Sequence, residues 1–223
     1  MSLAVDKFSM ARKNMVDCQI RPSKVTNEAV INAFETVPRE YFVPSYLQGI
    51  AYIDEDIKLG KAGWLMEPVI LARLLQAAAI RQDDVVLDIG CGSGYSTAVL
   101  AQLAMTVIGV DQDADMIEQA DVQLQTMDVC NAALVHGNPR DGYQAQAPFN
   151  VILINGSVPG VPGHITDQLA EGGRLVTVLR GPEYGTGQAV LVTKTKAVIT
   201  TEYLFDASTY PAPGFEDQAF FTF

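Results

Sequence analysis

Cysteine and histidine are scarce in this chain of 223 residues: three of the first (Cys18, Cys91, Cys130) and two of the second (His136, His164). An odd, widely spaced set of cysteines makes no disulfide framework, so a reducing cytoplasm is the expected compartment. Neither residue type recurs at metal-ligand spacing, and no metal site is expected. Basic residues are also few: 15 Lys and Arg against 26 Asp and Glu leave a formal net charge of −11. A surface of that sign argues against gripping a phosphate backbone, so nucleic acid is not an expected partner. No apolar run is long enough to span a bilayer and no signal-peptide core stands near the first residues, so no membrane association is expected. Internal repeats and low-complexity tracts are missing too.

What is present is globular: 48% hydrophobic and 18% charged residues, enough for one sizeable core. Two textures divide the chain. Residues 1–80 read as a helical extension packed on the core, and residues 81–223 as the main domain, the two forming one structural unit. In the extension, Ala29, Val30, Ala33, Phe34 and Val37 fall on one helical face that Pro38 stops. Residues 51–66 read as a loop, and a second helix begins near Pro68, a residue suited to a first helical turn.

The main domain alternates β-rich runs (85–89, 106–110, 132–135, 149–154, 174–179) with helical stretches (95–104, 113–125). Nearly continuous apolar strands separated by helices predict an α/β fold. Its architecture is a doubly wound, Rossmann-like, mostly parallel sheet with helices on both faces. Runs 188–193, 198–205 and 218–223 follow one another without helix signal and predict an antiparallel C-terminal edge.

The first strand ends in Asp88-Ile89-Gly90-Cys91-Gly92-Ser93-Gly94, directly before a helix. Glycines there let the backbone take left-handed conformations and let a ligand approach, at the strand ends where open α/β sheets bind ligands. A dinucleotide fingerprint would need its third glycine at Tyr95, and the observed spacing is G-x-G-x-G behind an acid. A second acid, Asp111, ends the next strand, where a carboxylate can accept both hydroxyls of a ribose. The competing reading makes Asp88 and Asp111 solvated strand-end acids, but order and spacing favour an adenosine-containing cofactor.

These motifs, with Val37-Pro38-Arg39-Glu40-Tyr41-Phe42-Val43-Pro44, Ala51-Tyr52, the stretch 86–98, Ala147-Pro148-Phe149-Asn150-Val151-Ile152 and Gln168-Leu169-Ala170-Glu171-Gly172-Gly173-Arg174-Leu175, resemble the protein-L-isoaspartate O-methyltransferase family over about residues 15–180. The resemblance implies a class I methyltransferase that uses S-adenosyl-L-methionine. It further implies that Gly90, Gly92 and Gly94 line the methionine part, that Asp111 holds the ribose and Asn138 stands where an acid is expected near the adenine, with Asp88 and Gln112 also binding the cofactor. The implied acceptor is a damaged aspartyl carboxylate in a protein or peptide.

Three departures bear on the acceptor and cofactor ends. The family's Thr-Ile-Ser-x-Pro segment reads Trp64-Leu65-Met66-Glu67-Pro68 here, which puts Met66 at the serine position. A thioether accepts weakly and donates nothing. Glu67 adds a charge that opposes an acceptor carboxylate unless it points away or pairs with Arg73 or Lys61; its other reading is a simple helix-start acid. Where the family has Gly-Asp-Gly, this chain has Gly137-Asn138-Pro139-Arg140-Asp141-Gly142, so Asn138 or Asp141 takes the acid's place. Asn155, at the end of the strand 149–154, is either an acceptor contact or a turn residue beside Gly156. Trp64 is either core or the wall of a pocket, Cys91 a packing residue, and His136 and His164 carry no evident role. Three functions follow: isoaspartyl methyl transfer, transfer to another protein or small-molecule acceptor, and cofactor binding without transfer. The oligomeric state is not legible.

Overall fold

In the computed structural model, which describes residues 2–60, 63–180 and 185–215, helix α1 (Ser2–Met15) runs into a π turn at Val16–Ile20. Helix α2 (Glu28–Thr36) starts at Asn27, whose side-chain oxygen accepts the N–H groups of Ala29 (2.9 Å) and Val30 (3.3 Å). Those donors would otherwise lack partners. The helix stops at Val37, held extended ahead of Pro38, and it buries Val30, Ile31, Ala33 and Phe34. Residues 51–66 are not all loop: β1 (Ile57–Lys58) pairs antiparallel with β2 (Trp64–Leu65). Two-residue strands are too short to display a period in sequence.

Helix α3 (Pro68–Ala78) begins on its proline. Then come β3 (Val85–Ile89), α4 (Tyr95–Ala101), β4 (Thr106–Asp111), α5 (Ala114–Thr126) and β5 (Ala132–His136). The chain continues through β6 (Phe149–Val158), α6 (Gly163–Thr166), β7 (Leu169–Leu179), β8 (Gly187–Thr195) and β9 (Val198–Ala207).

The main sheet has the order β5-β4-β3-β6-β7-β8-β9. The strands from β5 to β7 are parallel, while β8 opposes β7 and β9 opposes β8. The antiparallel edge is as expected, save that the run 218–223 lies outside the described residues. After β3 the chain winds one way through β4 and β5 and then returns to the other flank of β3 with β6. The carboxyl ends of β3 and β6 thus form the switch point where such sheets take ligands.

Successive strand residues point to opposite faces. Val86, Val107, Val151 and Leu153 join a core with α2, α3, α4 and the N-terminal segments. Leu87, Ile89, Ile108, Val110, Ile152 and Ile154 form a second core. Coverage is unequal, because the second face is roofed by the short α6, by Tyr143 and Ala147, and by Ala212 and Phe215 beyond β9.

One local expectation is corrected. Asn155-Gly156 is not a turn, since β6 continues through it to Val158. The register against β7 shifts between Leu153 and Ser157, and Gly156 sits at φ 145°. A bulge absorbs the pair that would otherwise reverse the chain, and the strand end gains a new neighbour, with Ser157 bridging Pro211.

Candidate functional site

The turn from β3 to α4 is tied to its neighbours by backbone bonds. Gly90 and Cys91 donate to the carbonyl of Val110 (2.8 and 3.3 Å), and Gly94 donates to that of Cys91 (2.9 Å). Burial pushes the Cys91 thiol well up, so it packs as a neutral group. Asp88 is fully buried; its Oδ2 accepts from Ser96 Oγ and Thr97 Oγ1, both at 2.7 Å. Burial raises its pKa to about 6, against the pull of those two hydroxyls. Ser96 Oγ also accepts from Asn155 Nδ2 at 2.8 Å. A relay from Asn155 through Ser96 to Asp88 therefore joins the ends of β6 and β3.

Asp111 takes Gly92 N–H on Oδ2 (2.9 Å) and Asp113 N–H on Oδ1 (3.0 Å). It is fully buried, and burial raises its pKa although those N–H groups oppose the shift. Three buried oxygens beside the turn lack any partner among the described residues: Asp88 Oδ1, Ser93 Oγ and Asn155 Oδ1. Buried acceptors normally find donors, so this set fits a ligand that brings an ammonium group and hydroxyls. A cavity of about 550 Å³ opens beside the turn, with Phe42, Val43, Leu59, Ser93 and Met116 in its wall.

Beyond Asp111, Gln112 offers its carbonyl to His136 Nε2 (3.1 Å). Asn138 is occupied locally: its oxygen takes Arg140 N–H (3.1 Å) and its amide donates to Asp141 Oδ2 (3.2 Å). His164 sits against the Arg140 carbonyl at 2.6 Å.

The segment Trp64–Glu67 is anchored from two sides. Arg39 is completely buried, and its guanidinium donates to the carbonyls of Met66 (2.7 Å) and Ala51 (2.8 Å) from 4.7 Å above the Tyr95 ring. Met66 is therefore held against the first residue of α4. Glu67 N–H donates to Asp56 Oδ1 (2.7 Å). The half-buried Glu67 carboxyl is pushed up to about 7, first by burial and then by Asp54 and Asp56. Arg73 does not pair with it, lying instead 3.4 Å from the centre of the Phe205 ring; Lys61 lies outside the described residues. Trp64 stacks face to face on Tyr210, with ring centres 3.3 Å apart at 4°.

The fold thus gathers Asp88, the three glycines, Asp111 and Asn155 at the carboxyl ends of β3, β4 and β6. Met66 and Glu67 approach from the N-terminal extension, and Gln112 and Asn138 stand at the far end. Sequence reasoning missed Ser96, Thr97, Arg39, Asp56 and the segment after β9. Arg39, Ser96 and Thr97 had one signal, their place inside family-like stretches.

Comparison with known proteins follows the same line. The family described as protein-L-isoaspartate(D-aspartate) O-methyltransferase matches residues 10–205. A protein-L-isoaspartate O-methyltransferase of Koribacter versatilis (strain Ellin345) is 36% identical over 190 residues, 85% of this chain and 84% of the relative. A solved protein-L-isoaspartate O-methyltransferase superposes with TM-score 0.80 at 24% identity, over 91% of this chain and 66% of its own. A Plasmodium falciparum structure, described as a protein-L-isoaspartate O-methyltransferase in complex with S-adenosyl-L-homocysteine, gives 0.76 at 19% identity, over 93% and 98%.

Proposed function

The chain belongs to the protein-L-isoaspartate(D-aspartate) O-methyltransferase family, and from that membership we propose that it moves the methyl group of S-adenosylmethionine to the carboxylate of a damaged aspartyl residue in a protein or peptide. The bound cofactor supplies a methyl already activated on a sulfonium, so a carboxylate acceptor needs no separate base. The chain's own residues bind, orient and exclude water. Asp111 accepts the ribose hydroxyls, with Gln112 and Asn138 beyond it. Gly90, Gly92 and Gly94 admit the methionine part, while Asp88 Oδ1 and Asn155 Oδ1 take its ammonium. Arg39 fixes the backbone at Met66 and so the floor on which an acceptor rests.

The observation that carries this reading is the relay from Asn155 through Ser96 to Asp88, which leaves an unmatched oxygen at each end beside the glycine turn. Among the described residues no helix is long and apolar enough to cross a membrane. The free Cys18 and Cys130 at the surface fit a reducing cytoplasm. The test is calorimetric titration with S-adenosylmethionine, then transfer of labelled methyl to an isoaspartyl peptide. Binding with transfer is expected. Binding without transfer would refute the acceptor, and no binding would refute the cofactor.

A second reading has its own observation. Glu67, Asp54 and Asp56 crowd negative charge at the acceptor segment, where Met66 replaces a hydroxyl. Such a site repels a carboxylate and suits a neutral hydroxyl or amine, whose proton Glu67 could accept near neutral pH. Transfer to a neutral acceptor in a screen, with none to the isoaspartyl peptide, would decide for it.

A further inference from the structure

The segment after β9 crosses the carboxyl end of the sheet. Its near end is held firmly. Ser157 N–H donates to the Tyr210 carbonyl (2.8 Å), Ala212 N–H to the Ser157 carbonyl (2.9 Å), and Ser157 Oγ to the Thr209 carbonyl (3.1 Å). Asp56 Oδ2 accepts from Thr209 Oγ1 (2.7 Å) and Tyr210 N–H (3.1 Å), and Tyr210 covers the Trp64 ring. The far end is held too: Arg140 donates to the Gly214 carbonyl and lies over the buried ring of Phe215.

Between these anchors the chain lies on the cofactor cradle. A Cβ added to Gly156 would fall 2.6 Å from the Ala212 backbone, and one added to Gly90 (φ 75°) 2.8 Å from the Pro213 ring. Gly214 comes close enough that a Cβ on it would stand 3.6 Å from Gln112 Oε1. The path therefore runs from Asn155 and Gly156, over Gly90, to Gln112. That is the span assigned above to the methionine and ribose parts of the cofactor, and Asp88 and Asp111 beneath it are both fully buried.

In the middle of this path the backbone bonds are those of Ala212, whose N–H goes to the Ser157 carbonyl and whose carbonyl accepts from Phe215 N–H (2.9 Å). Pro211 and Pro213 have no N–H to donate, and both favour an extended chain. What lies on Gly90 is an apolar ring, while the partnerless oxygens of Asp88 and Asn155 receive nothing from it.

We propose that residues 209–214 form a strap that S-adenosylmethionine displaces to reach the glycine turn, and that this displacement releases the acceptor segment at Trp64. The inference rests on the cofactor assignment above. The coupling runs through Asp56, whose two oxygens hold Glu67 N–H on one side and Thr209 and Tyr210 on the other. Moving the strap uncovers one face of Trp64 and frees Asp56 Oδ2, so the acceptor side opens only once the cofactor has entered. Cofactor binds first and acceptor second.

The chain has a single tryptophan, which makes Trp64 a built-in reporter. S-adenosylhomocysteine is titrated into the full chain while Trp64 emission and Kd are followed, and the same is done for the double variant Thr209→Val/Tyr210→Ala and, at the other anchor, for Arg140→Gln. Saturation of the parent is expected to change Trp64 emission. Both variants are expected to bind about tenfold tighter, because less free energy goes into opening the strap. Unchanged Trp64 emission at saturation, or equal or weaker binding by folded variants, would overturn the strap while leaving the cofactor assignment standing. Failure of parent and variants alike to bind would overturn both. Arg140→Gln lies at an exposed position and keeps the test decisive should the double variant fail to fold.

Discussion

Asparagine in place of Asp88 separates what this side chain does for stability from what it does for binding. Asp88 is fully buried, and its folded pKa is about 6 against an ordinary 3.8. Between those values the folded chain binds a proton that the unfolded chain has released, so stability falls as pH rises through that window and then levels off. A difference of about two pH units at about 1.4 kcal/mol each makes the ionised Asp88 a liability of about 3 kcal/mol near neutrality. The amide of the variant would have nearly the same shape and no such titration. Parent and Asp88→Asn are compared by denaturant unfolding at about pH 4 and about pH 7.5. The variant is expected to gain about 3 kcal/mol on the parent over that interval. A stability difference independent of pH would refute the reasoning, because it would mean that Asp88 titrates as an ordinary carboxylate. Cofactor binding is expected to move the opposite way and weaken in the variant. A destabilising charge at the end of β3 fits a group kept for its ligand.

Three further outcomes are expected. Asp111→Ala removes the acceptor of the ribose hydroxyls and is expected to weaken S-adenosylmethionine binding about a hundredfold by calorimetry; binding within a factor of about two would place the ribose elsewhere. In Glu67→Gln, isoaspartyl transfer is expected to keep its rate above about pH 7, where the parent declines because the Glu67 carboxyl, pushed up to about 7, ionises opposite the acceptor. Parallel pH profiles for parent and variant would show that Glu67 faces away. Gly156→Ala brings a Cβ to 2.6 Å from the Ala212 backbone, at φ 145°, and is expected to lower stability by about 3 kcal/mol in thermal unfolding; a neutral effect would show that the strap does not lie on β6.

What was legible in the sequence was what short-range pattern encodes. The run Val85–Ile89, the glycine turn and the acid closing β4 each carry their signal within a few residues, and the mostly parallel sheet follows from alternation with helices. The relay from Asn155 to Asp88 was not legible, because Ser96 and Asn155 are 59 residues apart and a bulge aims the strand end where a turn was expected. Arg39 shows the same limit. Its place in a family-like stretch was visible, while its hold on Met66 across 27 residues was not. The segment after β9 is the extreme case. Its Pro211-Ala212-Pro213-Gly214 reads as a connector of no particular place, and Asp56, 153 residues before Thr209, holds it down. Local pattern thus builds the cradle, and long-range contacts decide what lies in it. The segment Trp64–Glu67 is tied towards the cofactor turn by long-range contacts of this kind, through Asp56, Arg39 and Tyr210 and through the core that Met66 shares with Tyr95. Change of acceptor in such a fold therefore needs no change in the glycine turn of Gly90, Gly92 and Gly94.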